Sequence, residues 1–260
     1  LDDWNCCGAT EYFSQDELTA SAVVARNLAL VDPKMDQLVA PCAACYCNLA
    51  KVDKLMSDNA ELNGKINAAL AAGGLKYEAG RVKVRYLLDV IYKDFGEEKL
   101  KAKAVKSLAG LRVAPYYGCT LQRPAEVGIE PFGSFTLMSE LLEALGATVQ
   151  PFAAADKCCG SYQVLASPAG NNSAAANILN QASAAGIEAL ATSCPLCEYN
   201  LGRQQGRLLA TSAIASPLPT FYFTQLLALA LGVDTATCHF EMNEAVGVDL
   251  LREKACLAAA

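Results

Sequence analysis

Cysteine is the residue type with which this chain is best equipped to do chemistry. The 260 residues include twelve cysteines, and a CCG triplet precedes a CxxC motif twice. The two copies are Cys6-Cys7-Gly8 with Cys42 and Cys45, and Cys158-Cys159-Gly160 with Cys194 and Cys197. Thiolates bind zinc and iron-sulfur clusters and also carry out disulfide exchange. The motifs therefore indicate metal binding, redox chemistry or both.

The two copies form an internal repeat. Corresponding residues lie 152 positions apart, from Cys6 and Cys158 at one end to Cys45 and Cys197 at the other. The pair Asn48-Leu49 recurs at the same offset as Asn200-Leu201. A fixed offset over a whole motif is typical of a duplicated module.

One further cysteine belongs to the second copy alone. Cys119 lies 39 positions before Cys158, and the equivalent position of the first copy would precede residue 1. The chain opens on Leu1, only a few residues before Cys6, without an initiating methionine. We therefore expect a mature or truncated form that lacks the first cysteine of its N-terminal module.

Composition limits the classes of function. Hydrophobic residues make up 53% of the chain and charged residues 18%, as in a compact globular protein. The net charge of −6, without clustered Lys and Arg, excludes nucleic acid as a partner. The longest apolar stretch, 218–233, is shorter than the ~20 residues of a spanning helix, so no membrane span is predicted. Without a secretion signal, a cytoplasmic location is expected, where cysteines more often serve metal or redox sites than disulfides.

Strands and helices must deliver these cysteines. Apolar runs predict strands over 38–41 and 187–192, ending at Cys42 and Cys194, and further strands over 113–117 and 148–152. The 218–233 stretch predicts a strand followed by a buried helix. Helical patterns cover about 16–31, 49–71, 134–146, 171–185 and 223–231. This alternation predicts an α/β fold of two Rossmann-like half-domains with mainly parallel sheets, related by a pseudo-twofold repeat, over residues 1–108 and 109–260.

Ligands of parallel sheets gather outside the carboxyl ends of the strands, where Cys42, Cys119 and Cys194 are expected. Four thiolates of the first copy could satisfy either a tetrahedral zinc ion or an iron-sulfur cluster. The second copy offers five thiolates, one more than zinc or a regular four-iron cubane requires. This surplus favours an unusual iron-sulfur centre.

The sequence resembles the B-type subunit of heterodisulfide reductase, a family of CCG-domain iron-sulfur proteins, along nearly its whole length. The resemblance depends on the CCG triplets, Pro41-Cys42-Ala43-Ala44-Cys45, Tyr116-Tyr117-Gly118-Cys119 and Cys194-Pro195-Leu196-Cys197. It implies two noncubane 4Fe-4S clusters. One would be held by Cys119, Cys158, Cys159, Cys194 and Cys197, through which catalysis would occur, and the other by Cys6, Cys7, Cys42 and Cys45.

The resemblance also implies a function. The chain would be the catalytic subunit of a heterodisulfide reductase-like complex, an oxidoreductase that reduces, or reversibly forms, a disulfide such as that of coenzyme M and coenzyme B. Its partners would be the flavin-containing A-type protein and the ferredoxin-like C-type protein of such a complex, with a small thiol or disulfide as substrate. Two alternatives stay open: an electron-transfer subunit of a sulfur-oxidation or organic-acid-oxidation complex, and a zinc-binding scaffold module.

Other residues receive structural interpretations. Cys47 corresponds to Tyr199 in the second copy, so it is predicted to be a buried thiol and not a ligand. Cys256 is expected to be incidental, and Cys238 beside His239 is not expected to bind metal. Arg123 and Lys157 lie close in sequence to cluster cysteines, and we expect solvated charges at both.

Overall fold

The computed structural model describes residues 1–9, 11–243 and 245–257, which divide into two compact units. The first consists of Leu1–Val90 and Thr120–Ile129, and the second of Ile91–Cys119 and Glu130–Ala260. The cysteines of the first copy lie in the first unit, and all five cysteines of the second copy lie in the second unit. The half-domain boundary between residues 108 and 109 stays a prediction; by contacts, residues 91–108 belong to the second unit.

The first unit contains a two-stranded parallel sheet and five helices among its described residues. Strands β1 (Gln37–Ala40) and β2 (Lys83–Tyr86) pair from Gln37 with Lys83 to Ala40 with Tyr86. The helices are α1 (Glu11–Gln15), α2 (Glu17–Ala29), α3 (Ala43–Asp58), α4 (Ala60–Ala71) and α5 (Leu87–Val90), and a 3₁₀ turn covers Ala125–Val127. Helices α2 and α3 bury Val24, Leu28 and Val52 completely, which places the apolar core of this unit between them.

The second unit contains a four-stranded parallel sheet in the order β4-β3-β5-β6. Its strands are β3 (Arg112–Tyr116), β4 (Thr148–Val149), β5 (Ala189–Thr192) and β6 (Thr220–Tyr222). Every residue of β5 is buried, as expected for a central strand covered on both faces. Because all four strands run in one direction, their carboxyl ends meet at one edge of the sheet.

Helices and short turns connect these strands. The α-helices are α6 (Glu97–Lys103), α7 (Thr136–Ala144), α8 (Pro168–Ala184), α9 (Pro195–Glu198), α10 (Gln205–Ala210), α11 (Phe223–Ala230) and α12 (Ala245–Glu253). Segments of π-helix cover Ile91–Phe95 and Tyr199–Arg203, and 3₁₀ turns cover Ser161–Gln163 and Phe240–Met242.

The structure confirms the predicted α/β class with parallel sheets. Two details of the predicted elements are wrong. The helix predicted over 49–71 is two helices, because the side chain of Asn59 accepts a hydrogen bond from the backbone N–H of Leu62 and caps a new helix. The strand predicted over 148–152 ends at Val149. Within the described part of the chain, no helix is long and apolar enough to span a membrane.

Candidate metal centre

The second module brings its five predicted cysteines to one edge of the four-stranded sheet. Cys119 follows the carboxyl end of β3, and Cys158 and Cys159 lie in the connection after β4. Cys194 is the N-cap residue of α9 just after β5, and Cys197 lies within that helix. The parallel sheet thus assembles residues that are up to 78 positions apart in the chain.

Thiol contacts connect all five sulfur-bearing side chains. Cys119 contacts Cys158, Cys158 contacts Cys159, and the Cys197 thiol contacts both Cys159 and Cys194. The pKa of the Cys119 thiol is far above its ordinary value, mainly because of the hydrogen bond with Cys158 and, to a smaller extent, because of burial. Contact with Cys158 also raises the pKa of Cys159, to about 12. The bare thiols of Cys119, Cys159 and Cys197 therefore resist ionisation, whereas a bound cation would replace their protons and remove the repulsion between thiolates.

Tyr116 and Gly118 lie next to this group of thiols. Tyr116 is fully buried, and burial together with the nearby Cys197 and Cys159 thiols raises the pKa of its phenol well above the ordinary value. Its hydroxyl donates a 2.6 Å hydrogen bond to the carbonyl of Lys157, next to the CCG triplet. Gly118 has φ +63°, and a Cβ there would lie 3.2 Å from the Cys197 sulfur. The glycine thus permits the chain to pass close to that thiol.

The first module assembles its four cysteines from fewer elements. The Cys7 sulfur lies 3.2 Å from the Cys45 sulfur, and this contact, with burial, raises the pKa of Cys7 well above its ordinary range. Cys42 follows β1 closely and is the N-cap of the 16-residue helix α3, whose positive end favours thiolate. Cys6 is exposed.

An apolar cavity of about 410 Å³ adjoins the first module. Cys7, Cys42 and Cys45 line one part of it, and Trp4 and Leu38 are among its apolar lining residues. Trp4 is 67% exposed. Three of the four cysteines of this module therefore line one cavity.

The CCG turns of the two modules make equivalent hydrogen bonds. The Gly8 N–H donates to the Cys6 sulfur at 3.4 Å, and the Gly160 N–H donates to the Cys158 sulfur at 3.3 Å. The Asn48 amide donates to the Cys7 carbonyl at 3.1 Å, and the Asn200 amide donates to the Cys159 carbonyl at 2.7 Å. From the sequence, this asparagine pair indicates only the repeat; its identical offset from the cysteines in both copies is the signal that marks it as part of the same local structure.

The remaining cysteines lie elsewhere. The Cys47 sulfur is 3.5 Å from the Arg123 carbonyl, and burial raises its pKa to about 11. Cys238 and Cys256 are also buried, and burial raises the pKa of each. The His239 ring bonds with Glu241 at 2.8 Å. All three thiols are thus buried, and their interpretation as structural residues stays a prediction.

Lys157 and Arg123 are the two basic residues close in sequence to the predicted cluster cysteines. The Lys157 side chain is 58% exposed, and its ammonium lies 3.7 Å from the Asp156 carboxylate. Arg123 offers its backbone carbonyl to Cys47. Lys157 is thus a solvated charge in an ion pair.

The donor set of the second module consists of thiols alone. Its five thiols contact one another in a chain. Iron-sulfur clusters take cysteine thiolates on separate iron atoms, so they do not require sulfurs around one point. The all-thiol donor set therefore fits an iron-sulfur cluster, which Cys119, Cys158, Cys159, Cys194 and Cys197 would hold.

A family model described as "Cysteine-rich domain" and abbreviated CCG matches residues 1–50 and 113–202. The two matched segments contain the two copies of the repeat. They include all nine cysteines proposed as ligands: Cys6, Cys7, Cys42, Cys45, Cys119, Cys158, Cys159, Cys194 and Cys197.

Three curated relatives cover most of the chain. A protein of Archaeoglobus profundus, named as similar to the B-type subunit of heterodisulfide reductase, is 33% identical over 82% of this chain and 73% of its own length. The "8-methylmenaquinol:fumarate reductase membrane anchor subunit" of Wolinella succinogenes is 31% identical, over 90% and 81% respectively. The B-type subunit of the "Ferredoxin/F(420)H(2)-dependent CoB-CoM heterodisulfide reductase" from Methanosarcina acetivorans is 28% identical, over 95% and 83%.

A solved structure shares the fold. The crystal structure of a hypothetical protein from Helicobacter pylori superposes with a TM-score of 0.72 at 14% sequence identity. The match covers 93% of this chain and 44% of that protein, so the chain spans less than half of its length. At this identity the likeness concerns the fold alone.

Proposed function

Because this chain belongs to the cysteine-rich CCG domain family and is similar to the B-type subunit of heterodisulfide reductase, we propose that it is the catalytic iron-sulfur subunit of a heterodisulfide reductase-like complex. Its substrate would be a small disulfide such as the CoB-CoM heterodisulfide named for its relatives. The observation that carries the proposal is the contact of five thiols at the carboxyl edge of one parallel sheet.

The two modules would hold two 4Fe-4S clusters of noncubane type. Cys119, Cys158, Cys159, Cys194 and Cys197 are proposed for the second module, and Cys6, Cys7, Cys42 and Cys45 for the first. Zinc in the first module is the competing proposal, since four thiolates also satisfy a tetrahedral zinc site. When bound, an iron-sulfur cluster supplies single electrons.

Cleavage of a disulfide into two thiols consumes two electrons and two protons, so the chain requires an electron donor. We infer a flavin-containing A-type partner and a ferredoxin-like C-type partner, in the cytoplasm. The chain's own residues would fix the ligand set at the sheet edge. They would also shield it, since Cys159, Cys194 and Cys197 are no more than 6% exposed.

A second candidate is an electron-transfer subunit in an organic-acid oxidoreductase. The fumarate reductase protein of Wolinella succinogenes favours it, since its 31% identity is comparable to that of the heterodisulfide reductase relatives. In this function the same clusters would relay electrons without binding a disulfide. Both candidates require iron, whereas a zinc scaffold does not.

Iron, zinc and acid-labile sulfide per chain, measured anaerobically together with an EPR titration by thiol and disulfide, test the proposal. We expect about eight irons and eight sulfides with little zinc, and an EPR signal that responds to the disulfide. Clusters that never respond to a disulfide, but are reoxidised by an organic-acid reductase partner, would favour the second candidate. About four irons with one zinc would confine redox chemistry to the second module.

Serine substitutions test the assignment of ligands. We expect Cys159→Ser and Cys194→Ser each to remove about half of the iron and the disulfide-dependent activity, because each deletes a thiolate of the second module. Cys47→Ser and Cys256→Ser, which alter buried thiols outside the site, should retain both. Full iron content in the Cys159 and Cys194 variants would refute the assignment.

A further inference from the structure

Two buried asparagines occupy equivalent places in the repeat. Asn48 and Asn200 each follow the second cysteine of a CxxC motif by three residues and are only 7% and 1% exposed. Each amide nitrogen donates to the carbonyl of the second cysteine of the matching CCG triplet, at Cys7 or at Cys159. The bond therefore joins the helix that carries one pair of ligands to the turn that carries the other pair.

The turn needs such a partner because of its backbone conformation. Gly8 and Gly160 have φ values of +73° and +84°, in the left-handed region, directly after the two cysteine pairs. The preceding cysteine carbonyl is thereby directed out of any regular ladder, and a buried carbonyl requires a donor. In the first module the Asn48 amide also donates to the carbonyl of Ala9, so it contacts the turn on both sides of the glycine.

We propose that Asn48 and Asn200 are positioning residues that set the spacing between the CCG and CxxC cysteines of each module. The inference rests on the proposed iron-sulfur function, because the spacing matters only if the cysteines bind a cluster. The hydrogen bonds from Asn48 and Asn200 are observed independently of that function. Neither asparagine presents a thiolate or other ligand for iron; each acts through the cysteines that it holds.

The second module adds a residue that orients its asparagine. An Arg207 guanidinium nitrogen donates to the Asn200 side-chain oxygen at 2.6 Å, so the amide nitrogen is directed towards Cys159. The position 152 residues earlier is Leu55, which cannot do this. Asn200→Asp would keep an acceptor for Arg207 and nearly the same side-chain volume, but would place a carboxylate oxygen where the amide donates to Cys159. Asn200→Ala removes the side-chain volume as well, so an effect common to both variants reports the lost hydrogen bond.

The test uses the full chain under anaerobic conditions, as purified and after treatment with a chelator. Alkylation of Cys7 and Cys159 by iodoacetamide is followed by peptide mass spectrometry, alongside iron content and the EPR line shape. We expect Asn200→Ala and Asn200→Asp to speed alkylation of Cys159 at least several-fold without changing Cys7, and Asn48→Ala to do the reverse. Iron loss to the chelator should accelerate in the module that is altered.

Asn180→Ala is the matched control, because Asn180 also donates its amide to a backbone carbonyl, that of Ala213 at 2.9 Å, but lies on the exposed part of α8. Unchanged Cys159 alkylation in both Asn200 variants, relative to this control, would overturn the proposal. So would an equal rise at Cys7 and Cys159, since that would indicate general destabilisation. A wild-type chain without iron would refute the proposed function, while the alkylation pattern would still decide the role of the asparagines.

Discussion

At the scale of single residues, the second site depends on a glycine as well as on cysteines. Gly118 directly precedes Cys119 and has a left-handed backbone, and a Cβ at this position would lie 3.2 Å from the Cys197 sulfur and 3.5 Å from the ring of Tyr116. A Cβ at this position would require the Cys197 sulfur to shift by a few tenths of an ångström. Gly118 therefore permits both the left-handed turn before Cys119 and the close approach of the backbone to the Cys197 sulfur.

Gly118→Ala should selectively damage the second site. Alanine adds the cost of a left-handed residue, about 1–2 kcal/mol, and places a methyl 3.2 Å from the Cys197 sulfur. Gly186→Ala is the matched control, because Gly186 has φ +72° but a Cβ there would have no neighbour within 4 Å. We expect similar losses of stability in urea for both variants, with loss of about half of the iron only in Gly118→Ala. Equal iron contents would contradict this explanation.

At the scale of elements, N-cap residues determine where helices α2 and α4 begin. Asn59 begins α4 immediately after α3, and Asp16 caps α2 by accepting from the N–H groups of Leu18 and Thr19. The hydrogen bonds from Thr19 lower the pKa of the Asp16 carboxyl. A charged cap and a neutral cap thus occur within one unit and differ in their response to pH.

Alanine substitutions should separate these two caps. Asn59→Ala is expected to lower the free energy of unfolding by about 0.5–2 kcal/mol at every pH, since an amide does not titrate. The folded pKa of Asp16 lies below its unfolded value, so its contribution is present above the unfolded pKa and is lost as the pH falls through the folded pKa. Urea unfolding at about pH 7 and about pH 3 should therefore show a shrinking effect for Asp16→Ala only. A constant Asp16→Ala effect would mean that the carboxylate charge plays no part.

The strands that precede Cys42, Cys119 and Cys194 could be predicted because they lie in apolar runs. Strands β1, β3 and β5 lie in apolar runs that end near Cys42, Cys119 and Cys194. Strand β2 was not predicted, since Lys83-Val84-Arg85-Tyr86 is short and half charged, and its pairing with β1 depends on tertiary contacts. The break at Asn59 was missed for a different reason: no Gly or Pro marks it, and it is seen in the extended backbone of Asn59 and its capping hydrogen bond.

At the scale of the whole molecule, the two sets of cysteines separate between two compact units, in agreement with the repeat. Residues 91–108 are where the repeat and the packing differ. Leu100 and Leu108 of this segment are buried in the second unit, and the Leu108 N–H donates to the Leu145 carbonyl at 2.9 Å. The Val105 N–H donates to the Ala230 carbonyl, also at 2.9 Å. The segment therefore completes the core that supports the second set of cysteines.

Two fragments distinguish the boundary suggested by the repeat from that suggested by packing. Burial of a leucine side chain contributes about 1.5–3 kcal/mol, so fragment 91–260, which retains Leu100 and Leu108, should be more stable than 109–260 by several times RT. We expect 91–260 to unfold cooperatively in urea and to bind about half of the iron of the full chain, with 109–260 unfolding at lower urea and losing iron. Equal midpoints and equal iron in both fragments would instead establish residue 109 as the start of an autonomous module, with 91–108 as an appended segment.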